Sequence, residues 1–103
     1  MDASPNCALA KTIFFRYEPE FEGGRVLLFD SRTRKVFSLP RYSLDILRYL
    51  RSPRSSGDLE RKIQELSQEL DITADKLSAL VDYLKKREWV VSNEPSRSRA
   101  IAR

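Results

Sequence analysis

At 103 residues the chain has room for one domain with a modest core and short tails. Its 41% apolar and 33% charged content fits a globular chain, and there is no apolar run of the roughly eighteen residues a membrane helix needs. Histidine is absent and Cys7 is the single cysteine, which excludes histidine general bases, histidine metal ligands and a disulfide or cysteine-rich zinc framework. The glycines Gly23, Gly24 and Gly57 form no phosphate-cradling motif. A non-catalytic binding module without a cofactor is therefore the expected class.

The opening "MDASPNCALA" has neither the basic start nor the long apolar stretch of a secretion signal, so the cytoplasm is the expected location. Residues 1–10 read as a flexible lead-in to a domain over residues 11–91. "KTIFFRYEP" alternates as a half-buried strand, with Ile13, Phe15 and Tyr17 on one side. "EFEGG" turns the chain where positive φ costs little, and "RVLLFD" is β-prone and almost wholly apolar, as a central strand would be. "SRTR" turns it again and "KVFSL" returns as an edge strand, ended by Pro40, which has no N–H for a ladder bond.

"RYSLDILRYLRS" comes next as a helix with Leu44, Ile46, Leu47 and Leu50 in its apolar stripe, stopped by Pro53. Ser55, Ser56 and Asp58 offer N-caps for "DLERKIQELSQEL", in which Leu59, Ile63, Leu66 and Leu70 recur at helical spacing. "DIT" breaks the pattern. Thr73 then caps "ADKLSALVDYLKKREW", with Leu77, Leu80, Val81 and Leu84 inward and "WVV" closing the domain. Residues 92–103 read as a disordered tail. The expected fold is α+β and winged helix-turn-helix-like: a three-stranded antiparallel sheet followed by three helices.

Charge is unevenly spread. Between Arg25 and Arg54 eight basic residues face only Asp30 and Asp45, whereas Ser55 to Glu88 holds eight acids against six bases. The basic hairpin suits an acidic partner, peptide or nucleic acid alike. Sequence-specific DNA binding by a winged-helix regulator is one reading. Against it, the helix in the reading position exposes Asp75 and Asp82 and places no Arg, Asn or Gln to read a base. The other reading begins at the edge strand, whose unpaired N–H and C=O groups accept an extended peptide as a further strand. Its parity sets Lys35, Phe37 and Leu39 inward and Arg34, Val36 and Ser38 outward.

"VLLFDSRTRKVFSLP", a helix, "LERKIQEL", a break and "LSALVDYLKKREWVV" together resemble the PqqD-like RiPP recognition elements, over about Ile13 to Val91. Where many members carry Asn after the strand-ending Leu and Gly before the final apolar pair, this chain has Pro40 and the pair Glu88-Trp89. The resemblance implies a non-catalytic domain that binds the leader region of a ribosomally synthesised precursor peptide and delivers it to a separate modifying enzyme. It also implies antiparallel strand addition in a groove between the third strand and the third helix. Carried onto this chain, the strand side is Arg34, Lys35, Val36, Phe37 and Ser38. On the helix side, Lys76, Leu80, Tyr83 and Arg87 lie along one flank of the apolar stripe and Ser78, Val81 and Lys85 along the other. The first flank is preferred, because an aromatic and two cations suit an acidic peptide with apolar anchors.

Plainer roles exist for each residue. Phe37 and Leu80 fit an ordinary core, Tyr83 a solvent-facing helix position, and Trp89 a closing core residue with no ligand. Arg34 and Lys35 suit the blunting of an edge against aggregation, and the same edge permits pairing of two copies of the chain.

Overall fold

The computed structural model describes residues 6–93. In chain order the elements are β1 (Asn6–Leu9), β2 (Ile13–Glu18), β3 (Arg25–Asp30), β4 (Lys35–Pro40), α1 (Ser43–Tyr49), β5 (Arg54–Ser55), α2 (Ser56–Leu70), α3 (Ala74–Lys86) and β6 (Val90–Asn93). The strands form two antiparallel three-stranded sheets, ordered β2-β3-β4 and β5-β1-β6.

The α+β class and the central meander agree with the sequence, while the simple order of three strands and then three helices does not. The second sheet is the difference. Residues 6–9 are not a loose lead-in: β1 is the middle strand of that sheet, with Cys7 opposite both Arg54 and Ser92 and its side chain buried. Leu9 N–H donates to Leu50 O at 2.7 Å and Ala10 N–H to Trp89 O at 2.8 Å, so the strand is tied to the ends of α1 and α3. "NCAL" carries no alternating signal, and its pairing partners, β5 and β6, lie far along the chain. Ser92 and Asn93, expected to start the tail, belong to β6. The rest of that tail, 94–103, and residues 1–5 lie outside the described residues.

The meander register is uninterrupted, with Leu28 opposite Phe15 and Phe37, and Phe29 opposite Phe14 and Val36. Period two then sends Val26, Leu28 and Asp30 of β3 inward to complete burial. At the β2–β3 turn Gly24 has φ +108°, and a Cβ there would stand 2.8 Å from the Tyr17 hydroxyl, so both backbone and space favour glycine.

Three helices cover the inner face. Ile46, Leu47 and Leu50 at α1, Leu59, Ile63 and Leu66 of α2, and Leu77, Leu80, Val81 and Leu84 of α3 are all buried in one cluster with the sheet. The first helix is shorter than its apolar pattern, ending at Tyr49, with Leu50 as its C-cap ahead of Pro53. The caps agree with the sequence: Ser55 Oγ accepts from Asp58 N–H at 3.1 Å and Thr73 Oγ1 from Lys76 N–H at 3.2 Å.

The end of α3 turns sharply. Glu88 sits at φ +64°, its N–H donating to Lys85 O at 2.9 Å, and Trp89 N–H reaches back to Leu84 O at 3.0 Å. This is a complete Schellman turn built on a glutamate instead of a glycine. It reverses the chain within two residues and carries the Trp89 indole back against Tyr83 of α3. No helix among the described residues is long and apolar enough to cross a membrane.

Candidate functional site

β4 is an end strand of its sheet, so its outer row of N–H and C=O groups has no strand partner among the described residues. Beside that edge stands α3. Two contacts fix how they run past each other: the Arg87 guanidinium carbon lies 4.7 Å from the Phe37 ring centre, and the Lys76 Nζ lies 5.6 Å from that of Tyr42, just beyond the strand. The start of β4 therefore faces the end of α3, and the end of β4 faces its beginning.

Between them is an aromatic cluster centred on Trp89. The indole is almost wholly enclosed, at 1% exposure, and its Nε1–H donates to the buried Asp30 carboxylate at 3.2 Å. Asp30 also accepts from Arg32 N–H at 3.0 Å, and its Oδ1 lies 3.8 Å from the Arg32 guanidinium. The indole is thus anchored to the last residue of the central strand. Phe37 tilts against it at a ring separation of 4.8 Å, and Tyr83 meets it edge-on at 5.8 Å. Arg87 lies over the assembly, its guanidinium carbon 4.7 Å from the Trp89 ring and 5.7 Å from the Tyr83 ring. Tyr83 remains 43% exposed and Phe37 is half-buried, so the cluster has a solvent-exposed side.

Of the residues nominated from the sequence, Phe37, Tyr83 and Arg87 are brought together around one indole. Leu80 is buried beneath the helix and supplies floor rather than surface. Lys76 stands apart from this cluster, against Tyr42. Lys35 is exposed at the first position of β4, opposite Asp30. Val36 and Ser38 are exposed on the outward side of the strand; Ser38 Oγ accepts from Arg25 Nε at 2.8 Å. Arg34 lies outside the strand, at φ +62° in the hairpin turn, where its N–H donates to Asp30 O at 2.7 Å. It sits in the turn, not along the edge. The turn's other arginine, Arg32, has carboxylate partners in Asp30 and, at 3.9 Å, Glu88.

Trp89 does more than the sequence suggests. It is a core residue as expected, and it is also the surface on which Phe37, Tyr83 and Arg87 are arranged. The departure at Glu88-Trp89 is the one signal in the sequence that points there. Asp30, at the end of "RVLLFD", is its necessary partner, since a buried indole N–H needs an acceptor.

A concavity of about 430 Å³ lies between α1 and the α2–α3 turn, lined by Arg41, Tyr42, Leu44, Asp45, Arg48, Leu70 and Ile72. It adjoins the groove at Tyr42. Among the described residues no three His, Cys, Asp or Glu side chains stand together as a metal site. No family model, curated protein or solved structure matches the chain.

Proposed function

We propose that this domain is a non-catalytic peptide-binding module with a winged-helix-like architecture. It takes the leader region of a ribosomally synthesised precursor as a strand on β4 and hands it to a separate modifying enzyme. The observation that carries the reading is the unpaired edge of β4 standing beside the half-open Phe37–Tyr83–Trp89 cluster.

Magnitudes explain why both features are needed. Ordering five peptide residues costs about 5–10 kcal/mol of backbone entropy at roughly 1–2 kcal/mol each. Ladder hydrogen bonds return only about 0.5–1.5 kcal/mol apiece, so an edge alone binds weakly. Submicromolar binding requires a net of about 8 kcal/mol, and the difference must come from side chains entering a recess beside the edge. The half-buried Phe37 and the 43% exposed Tyr83 offer such side chains apolar surface to pack on. Cations at the turn and the start of β4, Arg34 and Lys35, add steering toward acidic peptides.

The reading is tested by titrating fluorescently labelled leaders of the precursors encoded near the gene. Saturable binding is expected, weakened about tenfold by Lys35→Glu and further by Phe37→Pro in the strand. A flat titration with every such leader overturns it. Binding to random duplex DNA with a steep salt slope would instead establish the nucleic-acid reading.

A further inference from the structure

We infer that the recognised peptide segment has the form apolar-x-acid-x-acid, read from N to C, and that Arg87 is the residue that selects the first acid. The inference rests on the strand-addition reading and adds to it a register and a chemical class for each inward position.

Register comes from parity. The inward positions of β4 are Lys35, Phe37 and Leu39, so a fourth strand places one inward side chain opposite each. The sheet is antiparallel throughout, and an antiparallel addition is the more stable pairing. The peptide then passes Leu39 first, Phe37 second and Lys35 last.

Chemistry differs at the three stations. Opposite Leu39 the floor is apolar, with Leu39 buried and Tyr42 half-buried, and the Lys76 Nζ stands 5.6 Å from the Tyr42 ring. Opposite Phe37 the nearest charge is Arg87. Its guanidinium carbon lies 4.7 Å from the ring centres of both Phe37 and Trp89, and among the described residues no carboxylate oxygen lies within 4.0 Å of it. A guanidinium that lies over rings without a carboxylate partner retains N–H donors able to grip a carboxylate through two bonds. Opposite Lys35 the third station is again cationic. Asp30, its cross-strand neighbour, is taken up by the Trp89 indole and Arg32.

The test selects a phage-displayed library of random twelve-residue peptides on the immobilised full chain, then measures synthetic copies of the enriched sequences. The expected enrichment is apolar-x-(Asp/Glu)-x-(Asp/Glu). Changing the middle acid to its amide should weaken binding about tenfold to the native chain and less than about twofold to Arg87→Gln. Arg87→Lys, which keeps charge without the fork, should fall between; circular dichroism confirms that both variants fold. Enriched peptides that bind equally well with amides at the acidic positions, or that carry the motif in reverse, overturn the inference and leave strand addition standing. Failure of any peptide to enrich overturns both.

Discussion

Phe37 and Val36 are neighbours in β4 and point to opposite faces of the same sheet. Both faces carry a cross-strand apolar row: Phe15, Leu28 and Phe37 inside, Phe14, Phe29 and Val36 outside. On the inside Leu28 is fully buried, and Phe37 is packed by Trp89 and overlain by Arg87. On the outside Phe14, Phe29 and Val36 remain 58%, 38% and 62% exposed. Similar strand composition thus yields a packed aromatic cluster on one face and, on the other, an open apolar concavity of about 270 Å³ lined by Phe14, Leu27, Phe29 and Val36. A strand pattern can put rings on a surface, but it takes a helix and its terminal turn to give them a hydrogen-bonded anchor and a positioned charge.

The contrast can be broken most directly at the two aromatics that typify the faces. Trp89→Ala is expected to cost about 3–5 kcal/mol in urea unfolding, because it removes a fully buried indole, whereas Phe14→Ala, at an exposed position, should cost less than about 1 kcal/mol. Equal losses would mean that the outer row is as much a part of the core as the inner one. Next in size is Asp30→Ala, which leaves the buried indole N–H without its acceptor and should cost about 1–3 kcal/mol. As Trp89 is the only tryptophan, its fluorescence reports the loss directly, with a shifted emission expected even while the chain remains folded.

Smaller and opposite in sign is Glu88→Gly. Relieving a left-handed non-glycine residue in the Schellman turn should stabilise the fold by about 0.5–1 kcal/mol, less any small contribution of the exposed Arg32–Glu88 pair. A destabilised Glu88→Gly variant would show that this pair, rather than the turn's backbone, sets the position of Trp89. The smallest effect is expected from Val36→Thr, within about 0.5 kcal/mol in stability and without change in peptide affinity. A clear loss of affinity there would move the binding surface to the outer face of β4.

Much of this was legible along the chain. The meander, the second and third helices and their Ser55 and Thr73 caps come from period, turn residues and capping chemistry, all of which act within a few residues. Parity alone separated Phe37 from Val36. Helical spacing alone put Leu80, Tyr83 and Arg87 on one flank. What stayed hidden depends on partners distant in sequence. β1 carries four residues of weak pattern and exists because β5 and β6 are brought to either side of it. Lys76 and Arg87 share a flank, yet about three helical turns of separation send them to different ends of the groove, one to Tyr42 and the other to the indole. Arg34 reads as part of the strand until the turn geometry removes it.

The sequence by itself determined the α+β class, the identity and faces of the main elements, and the presence of a basic, β-prone edge ended by a proline. Those are consequences of local sterics and of hydrophobic periodicity, which need no knowledge of what lies opposite. Only the tertiary structure decided that Trp89 packs back against α3 to meet Phe37 and Tyr83, with Asp30 holding its N–H and Arg87 laid across it. That arrangement depends on a left-handed turn at Glu88 and on a buried hydrogen bond spanning 59 residues, and neither is a property of any short stretch of the chain.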